Sequence, residues 1–145
     1  MIKKMHNHLL KAAILLTALL MFLASCSSDK PGVSSDNTSA RYKHIELDEA
    51  KEMISSGCIL VDTRGEPQYD YERIPGSICV PVDSDDSYIT ESLPDKDASI
   101  LLYCDYGGLS KEMAEHMSSD LGYTNISEFD GLLVWDGELE GDKYN

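Results

Sequence analysis

Two continuous apolar runs, CILVDT at 58–63 and ASILLYC at 98–104, constrain the fold of this chain more than any other feature. A strand that is buried on both faces reads as an unbroken apolar run, whereas a half-exposed strand alternates apolar and polar residues. A helix-compatible segment follows each run, at 66–72 and at 109–122. Strands that alternate with helices predict an α/β fold with a mainly parallel sheet and helices on both faces.

Three shorter strand-like segments bring the predicted sheet to about five strands: 42–47, 77–83 and 125–129. A helix is expected at 48–57, with Asp48 as its N-cap and Gly57 as its terminator. The acidic segment that precedes Ala98 is interpreted as a linker, and Trp135 as the core anchor of a C-terminal helix. Ligands of parallel sheets bind beyond the carboxyl ends of the strands, so the candidate site is expected at that edge.

The first 25 residues predict a signal peptide rather than a part of the domain. Lys3, Lys4 and Lys11 precede an uncharged apolar run at 12–24. This run is shorter than the about 20 residues that span a bilayer. LASC, which ends at Cys26, resembles the lipobox of bacterial lipoproteins, in which the cysteine is acylated. We therefore expect a lipid anchor on Cys26 and an extracytoplasmic domain at the bacterial cell membrane. The alternative is an uncleaved anchor with a chance cysteine.

Composition separates a flexible tether at 26–41 from a domain at 42–145. The tether is rich in Ser, Asp, Gly and Pro and has too little apolar surface to fold. All 26 acidic residues of the chain follow residue 26, and the whole chain carries a net charge of −14. Such an acidic surface disfavours nucleic acid and anionic lipid headgroups as ligands.

The remaining cysteines, Cys58, Cys79 and Cys104, do not form a CxxC pair, which disfavours zinc ribbons and dithiol redox motifs. Cys58 and Cys79 fall in apolar strands and are expected to pack as small hydrophobic residues. A disulfide between them would require adjacent strands and suitable geometry. No metal site is expected, because the acidic cluster at 83–86 lacks the glycine and the closing glutamate of a calcium loop.

Cys104 ends the second apolar run, and the predicted helix begins only a few residues later. The short loop 105–110 must therefore curl around the sulfur, and Gly107 and Gly108 permit the backbone angles that this requires. Such a curl would direct backbone N–H groups toward the sulfur, and the helix dipole would add to their field. The residues alone leave two interpretations open: a loop that stabilises a thiolate or a persulfide, or an inert thiol in a small apolar site.

The segments 60–83, 100–117 and 121–135 resemble the rhodanese family of sulfurtransferases. The V-D-x-R motif of the family is matched at Asp62 and Arg64, and its H-I-P-G-A turn is matched at 73–77 with Arg73 in place of histidine. The active loop of the family is matched at Cys104, Gly107 and Ser110. Two later motifs follow: G-Y-x-N-V at 122–126 and, in part, G-G-x-x-x-W at 130–135.

This resemblance implies that the Cys104 thiolate takes a sulfane sulfur from a donor such as thiosulfate. The resulting persulfide passes it to an acceptor such as cyanide or a thiol. No cofactor is implied, and the partners are a small sulfur donor or acceptor or a protein persulfide. Asp62 and Arg64 are expected to brace the sheet edge, and Arg73 is a candidate neighbouring cation. The persulfide-binding loop implied by the resemblance comprises Asp105, Tyr106, Gly107, Gly108, Leu109 and Ser110.

The loop departs from the family at Asp105 and Leu109, where active members usually carry basic residues. Asp105 should repel thiosulfate and oppose the stabilisation of a thiolate. A charge-assisted contact contributes about 1.5–3 kcal/mol, so the loss of two could reduce activity on the order of a hundredfold. We expect weak activity on thiosulfate, with a neutral or protein-borne persulfide as the donor. The alternative is a non-catalytic binding or redox-sensing module at the cell surface.

Phosphatases and arsenate reductases of related fold require Cys-x5-Arg to bind a tetrahedral dianion. Here the corresponding position is Ser110, and no arginine follows Arg73. Without that cation the class is excluded.

Overall fold

Residues 41–144 form an α/β fold in the computed structural model, which describes this part of the chain. The expected signal peptide, Cys26 and the tether up to residue 40 lie outside the described residues. Among residues 41–144 no helix is both long enough and apolar enough to cross a membrane. The elements in chain order are β1 (Lys43–His44), α1 (Leu47–Ser55), β2 (Ile59–Asp62), α2 (Glu66–Tyr71), β3 (Ile78–Cys79), α3 (Asp86–Ser92), β4 (Ile100–Tyr103), α4 (Gly108–Ser119) and β5 (Ile126–Glu128), followed by 3-10 turns at Gly131–Leu133 and Asp142–Tyr144.

The five strands form one sheet in the order β1-β5-β4-β2-β3, and all four pairs are parallel. Asp62 of β2 lies opposite Tyr103 of β4, and Leu102 of β4 lies opposite Glu128 of β5. Because the strands are parallel, the carboxyl ends of β2, β4 and β5 meet at one edge. The predicted α/β fold with about five mainly parallel strands is confirmed.

Side chains of the central strand β4 alternate between two cores, and all four are buried. Ile100 and Leu102 belong to one core with apolar residues of α3 and α4. Leu101 and Tyr103 belong to the other, together with Ala50 of α1. Helices therefore cover both faces of the sheet, and this is why residues 98–104 read as a continuous apolar run.

The acidic segment interpreted as a linker contains helix α3, so that interpretation was wrong. Asp85 caps the helix, because its Oδ1 accepts a hydrogen bond of 2.8 Å from the N–H of Tyr88. Ile89 is buried in the core, which stabilises a short helix whose other residues are mostly exposed. Asp85 of the acidic cluster at 83–86 is thus the N-cap of a helix. The expected cap Asp48 was also wrong, since α1 begins at Leu47 and the N-cap residue is Glu46.

The C-terminal segment forms 3-10 turns instead of the expected helix. Trp135 nevertheless packs against the second core, with its ring centroid 6.4 Å from that of Phe129. On α4, Met113 and Met117 are buried, whereas Leu109 is exposed. Leu109 is exposed because it lies in the first turn of α4, next to the loop after β4.

Candidate active site

Cys104 lies directly after β4, at the edge where the carboxyl ends of the strands meet. The carbonyl oxygen of Tyr103 accepts hydrogen bonds from the N–H of Thr63 at 2.9 Å and from its hydroxyl at 3.1 Å. The carbonyl oxygen of Cys104 accepts one from the N–H of Leu132 at 3.0 Å. Only 2% of the surface of Cys104 is exposed. The neighbouring strand and the turn after β5 therefore fix the backbone on both sides of the sulfur.

The loop after Cys104 curls around the sulfur. The N–H of Gly107 donates a hydrogen bond to Sγ of Cys104 at 3.1 Å, and the hydroxyl of Ser110 lies 3.8 Å from the same sulfur. Gly107 is the N-cap of α4 and has a φ of +79°. A Cβ at this position would also lie 2.6 Å from Oδ1 of Asp130. Both the backbone angle and the space therefore favour glycine.

Arg64 connects the end of β2 to the loop. Its buried guanidinium donates hydrogen bonds to the carboxylate of Asp62, to the Glu72 carbonyl oxygen at 2.6 Å, and to Oδ1 of Asp105 at 2.8 Å. Burial opposes the charge of Arg64, but the carboxylates of Asp62 and Asp105 hold its pKa above the ordinary value. The charge of Asp105 is therefore paired, a contact that the sequence reasoning missed.

Arg73 is engaged by the C-terminal segment. Its Nε donates to Oε1 of Glu140 at 2.9 Å, and its guanidinium lies over the ring of Tyr69, 4.7 Å from the ring centroid. The backbones of Arg73 and Glu140 also form an antiparallel bridge. These contacts hold the start of the turn at 74–77, and the hydroxyl of Tyr103 accepts a hydrogen bond from the N–H of Ile74 at 3.1 Å and lies 3.0 Å from the hydroxyl of Ser77. The supporting role of Arg73 in the site stays a prediction.

Exposed apolar side chains lie on and beside the loop. Tyr106 is 74% exposed, Leu109 is 39% exposed, and Leu133 is 65% exposed. The N–H of Leu133 donates to the carbonyl oxygen of Asp105 at 2.9 Å, which joins this side chain to the loop. Lys111, in the same region of α4, lies 3.6 Å from Asp130. The exposed surface of the loop and of the adjoining turn thus includes three large apolar side chains, and the nearby charges of Asp105 and Lys111 have partners.

Glu128 is a buried carboxylate that the sequence reasoning did not single out. Its Oε2 accepts a hydrogen bond from the hydroxyl of Ser110 at 3.5 Å, and its Oε1 lies 2.6 Å from Nδ1 of His44. Burial, with a smaller contribution from Asp130, raises the pKa of Glu128 above its ordinary value, although His44 opposes this. An acidic residue within the apolar stretch NISEF was the available signal.

Cys58 and Cys79 are free thiols in the described structure. The thiol of Cys79 lies 3.5 Å from the carbonyl oxygen of Arg64. Burial and the nearby carboxylates raise the pKa of Cys79 to about 11, and burial raises that of Cys58. Neither thiol is therefore readily ionised near neutral pH.

Residues 46–134, more than half of the chain, match the family described as Rhodanese-like domain. The chain belongs to the rhodanese-like domain family. Strands β2 to β5, the motif residues Asp62 and Arg64, and the Cys104 loop fall within the matched range, and β1 lies just before it. The match thus agrees with the family resemblance of the three sequence segments.

Named relatives of this rhodanese-like domain include sulfurtransferases. Thiosulfate sulfurtransferase PspE of Escherichia coli is 32% identical over 72 residues, which cover 50% of this chain and 68% of that protein. Adenylyltransferase and sulfurtransferase MOCS3 of Drosophila persimilis is 28% identical over 95% of this chain, which spans only 32% of that protein. A rhodanese from E. coli solved with anions is 26% identical, with a TM-score of 0.50, and the match covers 57% of this chain and 96% of that one.

Proposed function

We propose that this rhodanese-like domain is a sulfurtransferase that carries a sulfane sulfur as a persulfide on Cys104. The observation that carries the proposal is the N–H of Gly107 directed at Sγ of Cys104 from 3.1 Å, at the start of α4. A backbone donor at a helix N-terminus stabilises negative charge on sulfur. The names of the relatives, which include thiosulfate sulfurtransferase, support the same chemistry.

In the first half-reaction the thiolate of Cys104 attacks the outer sulfur of the donor. With thiosulfate the donor S–S bond breaks, its electron pair leaves with sulfite, and a new S–S bond gives the Cys104 persulfide. In the second half-reaction the sulfur of an acceptor thiolate attacks the outer sulfur of the persulfide. The acceptor becomes a persulfide and the Cys104 thiolate is regenerated, so no external oxidant or reductant is consumed.

Thiosulfate is expected to be a poor donor because the charges near the sulfur are already paired. Arg64 is bound to Asp62 and Asp105, and Lys111 lies near Asp130. The apolar surface of Tyr106 and Leu109 suits a donor of low charge better than a dianion. A small alkyl persulfide, or a persulfide carried by a partner protein, suits this surface, and either donor must reach a sulfur that is almost completely buried.

The test is to expose the full chain to thiosulfate or to an alkyl persulfide and to locate the added sulfur by mass spectrometry of peptides. We expect one sulfur atom on the peptide that contains Cys104, at least about tenfold faster from the alkyl persulfide. The reason is that thiosulfate lacks a charge-assisted contact in this site, which would contribute about 1.5–3 kcal/mol. Cys104→Ser should gain none, whereas Cys58→Ser should behave as the unchanged chain. A chain that gains no sulfur at Cys104 from either donor would overturn the proposal.

The second candidate function is a non-catalytic binding or redox-sensing module. The near-complete burial of Cys104 and the pairing of Arg64 with Asp105 favour it. It predicts that neither donor modifies Cys104 while the domain remains folded. The same experiment therefore decides between the two candidates.

We also propose that the domain is extracytoplasmic and is held at the bacterial cell membrane by a lipid on Cys26. The support is the basic start, the apolar run at 12–24 and the LASC sequence, all outside the described residues. A tether at 26–41 would separate the anchor from the domain and allow the site to meet a partner protein.

A further inference from the structure

Four side chains form a row of polar contacts from the protein surface to the sulfur. The imidazole of half-exposed His44 is 2.6 Å from one carboxylate oxygen of buried Glu128. The other oxygen of Glu128 is 3.5 Å from the hydroxyl of Ser110, and that hydroxyl is 3.8 Å from Sγ of Cys104. The same hydroxyl also donates to the carbonyl oxygen of Gly107 at 3.2 Å, so this oxygen and Glu128 compete for its proton. His44, Glu128 and Ser110 belong to β1, β5 and α4, Cys104 follows β4, and the three inner members are buried.

We propose that Glu128 is a positioning residue that accepts the proton of the Cys104 thiol through the hydroxyl of Ser110. The serine hydroxyl is suited to this because it accepts one hydrogen bond while it donates another. It can accept from a thiol while donating to a carboxylate, or donate to a thiolate while accepting from a carboxylic acid. The inference deepens the proposed sulfurtransferase function and rests on it for its biological purpose, but the ionisation itself can be measured separately.

The two states of the row have the same composition and the same net charge. In the resting state the sulfur holds the proton and Glu128 is a carboxylate. On activation the S–H bond breaks, the thiol proton passes to the oxygen of Ser110, and the hydroxyl proton of Ser110 passes to Oε2 of Glu128. The products are a thiolate and a buried carboxylic acid, and the proton returns by the same route when the thiol re-forms.

Burial favours the carboxylic acid form of Glu128 and raises its pKa above the ordinary value, because a buried carboxylate loses its hydration. Glu128 thus has a higher proton affinity than an exposed glutamate, and the histidine at its other oxygen connects it to solvent. The ionisable groups that face Glu128 from the elements packed against it are His44 and Tyr42 from the β1 segment, Lys111 from α4, and Asp130 after β5.

The pH dependence of Cys104 alkylation by iodoacetamide tests the proposal, with the modified peptide quantified by mass spectrometry. For a lone thiol the alkylation rate falls about tenfold per pH unit below its titration, because only the thiolate reacts. A thiol that shares a single proton with a carboxylate keeps a constant fraction of thiolate over the pH range in which the pair holds that one proton. We therefore expect a shallower fall in the unchanged full chain over the range below neutral pH.

Glu128→Gln and Ser110→Ala should each restore the full fall of about tenfold per pH unit. Ser118→Ala is the matched control, because Ser118 is also a buried serine of α4 but its hydroxyl donates to the carbonyl oxygen of Ala114. It should keep the shallow profile. His44→Asn should keep the shallow profile but move its acidic limit to higher pH, since the histidine favours the ionised form of Glu128. Circular dichroism confirms that each variant is folded.

Three results would overturn the inference: a full tenfold fall in the unchanged chain, a shallow profile that survives in Ser110→Ala, or a uniform rate increase in Glu128→Gln at every pH. The last result would mean that Glu128 acts only as a nearby negative charge. A shallow profile in a chain that never forms a persulfide would support the proton transfer and reject the sulfurtransferase function. Persulfide formation with a steep alkylation profile would do the reverse.

Discussion

Asp105 sets the charge immediately beside the sulfur. From the sequence it is a carboxylate where the family usually has a cation, but in the structure it accepts a hydrogen bond from Arg64 at 2.8 Å. Arg64 must balance both Asp62 and Asp105, so these three side chains together carry one net negative charge. The site therefore lacks the positive field that a dianion requires, although each charge has a partner.

Asp105→Asn should increase the rate of persulfide formation from thiosulfate several-fold. The amide oxygen can still accept the hydrogen bond from Arg64, so only the charge is lost. At about 7 Å in water a unit charge and a dianion repel each other by about 1 kcal/mol, which corresponds to roughly a fivefold change in rate. The measurement is the second-order rate constant of sulfur addition to Cys104.

Glu91→Gln is the matched control for Asp105→Asn. Glu91 is an exposed residue of α3, so this substitution removes the same charge at a position outside the loop. It should change the rate by less than about twofold, since screened surface charges interact weakly. An unchanged rate in Asp105→Asn would show that Asp105 does not limit the use of thiosulfate.

At the scale of elements, the 3-10 turn after β5 fixes the end of β4. Gly131 begins this turn with a φ of +65°, and a Cβ there would overlap the carbonyl oxygen of Cys104. Leu132 donates to that same oxygen, and Leu133 donates to the carbonyl oxygen of Asp105. The turn therefore determines where the reactive loop starts.

Gly131→Ala should displace the loop and slow persulfide formation by at least about tenfold, because a misplacement of about 1 Å can reduce a rate about a hundredfold. Gly122→Ala is the matched control, since Gly122 also has a positive φ, of +79°, but a Cβ added there would meet no atom within 4 Å. Both should lose about 1–2 kcal/mol of unfolding free energy from the backbone angle. Only Gly131→Ala should also lose activity, as measured by urea unfolding and sulfur addition. Equal activities in the two variants would contradict this role of the turn.

Local sequence predicted the elements whose pattern is strong, and it failed where contacts join distant residues. The buried strands β2 and β4 and the Cys104 loop follow from apolar runs and glycines. Helix α3 was missed because only one of its residues, Ile89, is fully buried, so the mostly exposed, polar segment shows no apolar stripe. The contacts of Arg64 with Asp105 and of Ser110 with Glu128 join residues 41 and 18 positions apart, so only the register of the sheet shows them.

At the scale of the whole molecule, net charge governs the approach of any small donor. The chain has 26 acidic and 12 basic residues, so a dianion is repelled before it reaches the loop. This long-range repulsion is screened by salt, whereas the apolar surface beside the sulfur is not. Donors of different charge should therefore respond differently to ionic strength.

Added sodium chloride should accelerate persulfide formation from thiosulfate several-fold. Between about 0.01 M and about 0.15 M ionic strength the Debye length falls from about 30 Å to about 8 Å, which removes most of the repulsion from distant carboxylates. An alkyl persulfide carries less charge and should change by less than about twofold. The measurement is the rate of sulfur addition to Cys104 for both donors at each salt concentration. A thiosulfate rate that falls with salt would mean that a local cation attracts the donor, and would contradict the pairing of Arg64 and Lys111 as the cause of weak activity.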